Sequence, residues 1–124
     1  MCMGEKKILL VDDAETILMM ERMILGKSYT LITAKDGEKA LTVAATEKPD
    51  LIILDIVMPK MDGFEVCRRI KSDENTKSIP VIMVTTKGDS SNVEKGFESG
   101  CNDYVTKPIN GAELLSKVRS HLGE

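Results

Sequence analysis

Short apolar runs alternate along the chain with longer stretches in which apolar positions recur three or four residues apart. The first kind reads as buried strand, the second as amphipathic helix. Ile8–Val11 predicts a strand, and Glu15–Leu25 a helix stopped by Gly26. A strand over Tyr29–Ala34 follows. The next helix, Gly37–Lys48, is spaced by Ala40, Leu41, Ala44 and Ala45 and closed by Pro49. Leu51–Leu54 is an apolar run ending at Asp55, and Phe64–Lys71 a helix with Phe64, Cys67 and Ile70 on one face. Pro80–Val84 predicts a strand ending at Thr85, and Val93–Ser99 a short helix ended by Gly100. Asp103–Thr106 is the last strand and Ala112–Leu122 the last helix.

Strands this apolar are covered on both faces, which predicts a parallel sheet with helices on either side. Right-handed crossovers make it a doubly wound α/β sheet. Ligands in such sheets sit beyond the carboxyl ends of the strands, where the order reverses. For the strand order 2-1-3-4-5 that place lies between the first and third strands. Asp12 and Asp13 end the first and Asp55 ends the third, so three carboxylates converge there.

Two adjacent carboxylates repel unless a cation neutralises them or water solvates both. Three together make a hard, oxygen-rich site suited to Mg²⁺ or Mn²⁺. The remaining strand ends add a hydroxyl at Thr85 and an ammonium at Lys107, followed by Pro108. That set suits phosphoryl transfer, in which a metal and a lysine neutralise charge on the phosphoryl oxygens and a hydroxyl donates to another. One carboxylate can serve as nucleophile. The nucleotide-binding patterns GxxxxGK[ST] and post-strand GxGxxG do not occur.

Bulk composition narrows the reading further. The length, 124 residues, predicts a single domain over 1–124 with one proper core. A net charge of -3 without a basic stripe weighs against direct nucleic-acid binding. Cys2, Cys67 and Cys101 are widely spaced in sequence, and their odd number without CxxC spacing points to free thiols in a reducing compartment. No apolar run approaches a membrane span, and MCMGEKK at the start lacks a signal-peptide core, so a cytoplasmic protein is expected.

At these residues the chain resembles the response-regulator receiver domain of two-component phosphorelay signalling, similar to chemotaxis regulators. The resemblance rests on VDD at Val11–Asp13, LDIVMPKMDGFE at Leu54–Glu65, PVIMVTT at Pro80–Thr86 and YVTKP at Tyr104–Pro108. Each motif is weak alone; four in order, each at a strand end, are specific. The resemblance implies a (βα)5 flavodoxin-like fold and a signalling phosphoacceptor that catalyses only its own phosphorylation and dephosphorylation. It implies Asp55 as phosphoacceptor, and Asp12, Asp13, Asp55 and the Val57 carbonyl as metal ligands. Thr85 would be the switch hydroxyl, Lys107 the phosphoryl-binding ammonium, and the Thr86 backbone N–H a further phosphoryl contact. Tyr104 would be the switch aromatic, Lys107–Pro108 a cis bond, and Gly63 the residue serving the loop after the acceptor strand. The donor would be a histidine kinase or histidine phosphotransfer protein, and the recipient of the signal a downstream protein. A monomer that can dimerise on phosphorylation is the implied assembly.

Some positions depart from the family or stay open. Thr86 stands where the family usually has Ala or Gly, and its bulk narrows access to the site. Val57 and Lys87 occupy the positions that tune dephosphorylation; Val57 cannot hydrogen-bond water through its side chain, which predicts a slow rate. Tyr104 as ordinary strand packing is also open. Cys67 is expected in the core, and His121 on the surface near a helix C-terminus. On the first helix, Ile17, Met20 and Ile24 share one face and are expected in the core, with Leu18 and Met19 away from its centre. Those two are then either scattered exposed residues or a docking patch beside the acceptor site. A stand-alone receiver, a receiver within a larger transcription factor or output enzyme, and a Mg²⁺-dependent aspartyl-nucleophile phosphatase all remain open. The phosphatase reading is weakened by DD where haloacid-dehalogenase-type enzymes have D-x-D. A flavodoxin is weakened by the lack of a Ser/Thr/Gly-rich first loop and by only two Phe and two Tyr.

Overall fold

The computed structural model describes residues 6–26, 28–86 and 90–124. Five strands and five helices alternate: β1 (Lys7–Val11), α1 (Glu15–Leu25), β2 (Thr30–Ala34), α2 (Gly37–Glu47), β3 (Leu51–Asp55), α3 (Gly63–Ser72), β4 (Val81–Thr86), α4 (Ser90–Glu98), β5 (Asp103–Lys107) and α5 (Gly111–Leu122). The strands form one parallel sheet in the order β2-β1-β3-β4-β5, the doubly wound arrangement expected from the pattern. Among the described residues no helix is long and apolar enough to cross a membrane.

Strand alternation divides the core in two. Leu9, Val11, Ile52 and Leu54 face Ala40 and Ala44 of α2 and Val66, Cys67 and Ile70 of α3. Ile8, Leu10, Leu51 and Ile53 face Leu18 and Leu25 of α1 and Leu114 and Val118 of α5. The central strand β3 is buried at every residue, whereas the edge strands β2 and β5 are mostly half-buried. Asp36, Asp62 and Asn110 begin α2, α3 and α5, each accepting a hydrogen bond from the backbone N–H three residues on.

Most departures from the sequence reading lie at element ends. β4 runs through Thr86, so Thr85 is inside the strand, paired with Thr106. β5 likewise extends to Lys107, and α4 starts earlier, at Ser90. Tyr29 precedes β2 and is buried. Lys48 caps α2 from the left-handed region, φ 46°.

The larger correction is the face of α1. Its buried residues are Leu18, Glu21 and Leu25. Met20, expected in the core, is 41% exposed, and Ile17 and Ile24 are only half-buried. The series from residue 17 and the series from residue 18 lie about 100° apart on the helix. The series from residue 18 contains a carboxyl, so hydrophobicity alone favours its neighbour. Packing against β1 and α5 selects the other.

Candidate functional site

The sheet register brings the predicted strand ends together. Val11 pairs with Leu54, so Asp12, one residue past β1, is level with Asp55 at the end of β3. The strand order reverses between these two, where such sheets open a crevice. One oxygen each from Asp12, Asp13 and Asp55 lies within 4.8 Å of the others. Asp12 and Asp55 are buried and Asp13 is exposed.

Asp12 Oδ1 accepts a 2.9 Å hydrogen bond from the Ala14 N–H, an Asx turn that leads into α1. Its other oxygen, Oδ2, is buried without a hydrogen-bond partner. An unpaired buried carboxylate oxygen beside two more carboxylates is costly for the protein alone. A divalent cation removes that cost, and an all-oxygen donor set fits Mg²⁺ or Mn²⁺.

Lys107, at the end of β5, reaches past β4 to place Nζ 3.3 Å from Asp55 Oδ1. Burial raises the pKa of Asp55, and the Lys107 ammonium opposes that rise. Burial also pushes Asp12 up to about 6, against the Ala14 N–H and Lys107, with Asp55 and Asp13 adding to the rise. Lys107–Pro108 is cis.

The loop after β3 is closed by the Gly63 N–H, which donates to the Ile56 carbonyl at 2.8 Å. A Cβ on Gly63 would lie 2.4 Å from the Asp55 carbonyl oxygen, so only glycine allows this approach. Val57 lies in that loop, two residues past Asp55, and is 69% exposed. Thr85 is buried, and its Oγ1 has no hydrogen-bond partner among the described residues. Thr86 ends β4 opposite Lys107; its side chain, like all of Lys87 and Cys2, lies outside the described residues. Tyr104 pairs with Met83 and shares a sheet face with Thr85. Cys67 and Cys101 are free and buried.

Sequence reasoning missed Glu21. It is 1% exposed, its Oε1 has no partner, and its pKa is pushed up to about 8. Burial is the main cause; the charges of Asp12 and Asp55 add to it. Its position three residues after Leu18 and four before Leu25 was the available signal. His121 lies in the last turn of α5, as expected, but is half-buried, with Nε2 3.0 Å from Asp103 Oδ2. The patch expected at Leu18 and Met19 loses Leu18 to the core; the exposed methionines of α1 are Met19, Met20 and Met23.

Residues 8–119 match the family model of the response regulator receiver domain. The chain is 44% identical over 115 residues to the response regulator PleD of Caulobacter vibrioides, which covers 92% of this chain and 25% of PleD. Among solved structures, the chemotaxis response regulator CheY4 of Vibrio cholerae superposes with a TM-score of 0.89 at 32% identity, covering 96% of this chain and 100% of that one. The receiver domain of the sensor histidine kinase PA1611 from Pseudomonas aeruginosa, with magnesium coordinated in its active-site cleft, gives 0.85 at 30%, covering 98% and 100%. The chain spans from a quarter to about half the length of the curated relatives it matches.

Proposed function

The chain belongs to the response regulator receiver family of two-component signalling, and from that premise we propose that Asp55 is the phosphoacceptor of a Mg²⁺-dependent switch. One observation carries the assignment. Among the described residues, Asp55 alone of the three clustered carboxylates is both buried and paired with a lysine, Lys107. Asp12, Asp13 and Asp55, with the Val57 carbonyl, would hold the metal. When bound, the ion supplies positive charge that neutralises the phosphoryl oxygens and the carboxylates around them.

The protein's own groups do the rest. A phosphohistidine on a histidine kinase or phosphotransfer protein is the donor. An Asp55 oxygen forms a bond to phosphorus as the phosphorus–nitrogen bond breaks and the imidazole leaves. Lys107 moves its ammonium from the carboxylate to a phosphoryl oxygen. The Thr85 hydroxyl, which has no hydrogen-bond partner among the described residues, donates to another oxygen, and the Thr86 N–H to a third. Thr85 draws toward the new group, Tyr104 on the same face follows, and the β4–α4–β5 surface shifts between two populations. Water later cleaves the acyl phosphate. A downstream protein reads the altered surface in the cytoplasm, a compartment consistent with the buried free thiols Cys67 and Cys101.

Intact mass after incubation with acetyl phosphate and Mg²⁺ tests the reading. One added phosphoryl group is expected, absent with EDTA and in Asp55→Asn. A gain that persists in Asp55→Asn would overturn the assignment.

A further inference from the structure

Tyr104 is held from two helices at once. Its ring meets Phe97 of α4 edge-on, with centroids 6.0 Å apart and planes at 88°. Lys117 of α5 brings its ammonium 4.9 Å from the centroid of the same ring. That ammonium also donates to the Tyr104 carbonyl. Two carboxylates confine it there: Asp103 Oδ1 at 3.2 Å and Glu113 Oε2 at 3.7 Å. Asp103 is itself fixed, since Oδ1 accepts from the Tyr104 N–H at 2.8 Å and Oδ2 lies 3.0 Å from His121 Nε2.

Sheet geometry explains how α5 reaches this ring. Asp103 pairs with Ile82 and Tyr104 with Met83, so they lie on opposite faces. Asp103 is on the α5 side and Tyr104 on the other. β5 is an edge strand, and Lys117 passes around its open edge. A single donor would suffice to cover an edge carbonyl. This arrangement does more, because it also places a cation against an aromatic ring that meets Phe97 edge-on. Movement of the ring along the sheet toward Thr85 would give up both contacts.

We propose that Lys117 is a positioning residue for Tyr104: it holds the ring between α4 and α5 and so sets the resting population of the switch. This rests on the switching role given to Tyr104 above. By reciprocity, a contact that favours the resting state weakens binding of anything that favours the other state.

The chain has two tyrosines and no tryptophan, so 3-fluorotyrosine labelling gives two ¹⁹F resonances, and Tyr29→Phe assigns them. Lys117→Met keeps an unbranched stem over the ring and removes the charge. In this variant the Tyr104 resonance of the unliganded protein is expected to move toward its position with beryllofluoride and Mg²⁺. Half-saturation by beryllofluoride should fall about three- to tenfold, the size of one lost cation–ring contact. Lys117→Arg, which keeps the cation, should stay near wild type. A Lys117→Met protein with changed thermal stability but unchanged resonance and half-saturation would reduce Lys117 to an edge cover and overturn the proposal. If the wild-type Tyr104 resonance ignores beryllofluoride while the mass of the protein still increases with acetyl phosphate, the role of Tyr104 fails and that of Lys117 with it. If neither response occurs, the phosphoacceptor reading itself fails.

Discussion

Lys107 on β5 places its ammonium 3.3 Å from Asp55 Oδ1 on β3, spanning the strand between them. The pair joins a carboxylate that is 4% exposed to an ammonium that is 33% exposed. Asp55 therefore depends on Lys107 more than the reverse. The same ammonium is positioned to take charge from a phosphoryl group on Asp55.

Replacing Lys107 by Met should therefore slow phosphorylation far more than it alters the fold. Loss of one preorganised charge-stabilising donor costs about 10²-fold or more in rate. Phosphorylation by acetyl phosphate followed by mass should show this, while circular dichroism stays unchanged. A rate within twofold of wild type would remove Lys107 from the mechanism.

Glu21 predicts an unusual pH dependence. Its pKa is 4.5 as the unperturbed reference and about 8 in the fold. Between these values the folded chain holds a proton that the unfolded chain has lost. Stability from this group is fully present below 4.5 and falls as pH rises toward 8, by at most about 1.4 kcal/mol per pH unit. Asp12, raised to about 6, adds a slope of the same sign in metal-free protein. In urea unfolding with EDTA, Glu21→Leu should be more stable than wild type at pH 8, and the difference should shrink toward pH 5. A difference that is constant with pH would mean that Glu21 is not the titrating group.

Gly63 admits no side chain. A Cβ there would stand 2.4 Å from the Asp55 carbonyl oxygen and 2.8 Å from Ile56 Cα, both backbone atoms. Gly63→Ala must push the loop off β3, at a cost of about 1–3 kcal/mol for overpacking. The same displacement carries Val57 away, so the thermal stabilisation by Mg²⁺ should also shrink. An unchanged magnesium response in a destabilised Gly63→Ala protein would remove the Val57 carbonyl from the metal site.

Val57 sets the expected lifetime of the phosphorylated form. It is 69% exposed in the loop beyond Asp55 and has no side-chain donor or acceptor to orient an attacking water. Spontaneous loss of the phosphoryl group should take minutes or longer at room temperature. Val57→Asn, which can hold a water, should shorten it severalfold, within the scale of positioned proton-transfer groups. Decay in seconds in the wild type would contradict this.

Legibility in the sequence followed the range of the interactions involved. Apolar runs located every strand within two residues, because burial on both faces of a sheet leaves a continuous local signature. Asp12, Asp13, Asp55 and Lys107 were readable for the same reason: each stands at a strand end, and a parallel sheet gathers its strand ends at one edge. The end of β4 lies one residue beyond Thr85, since β-branched residues extend a strand as readily as they end it. The core face of α1 was misread because two helical series one residue apart both carry apolar residues.

The order of elements, the parallel sheet and the identity of the groups at its carboxyl edge were all written into the chain. These follow from periodicity and from local hydrogen bonding, which neighbouring residues settle among themselves. That Leu18 and Glu21, not Met20, enter the core came from tertiary packing. It alone set Lys107 against Asp55 and passed Lys117 around the edge of β5 to Tyr104. Those outcomes depend on where separate elements come to rest against one another, and no local spacing encodes such a long-range choice.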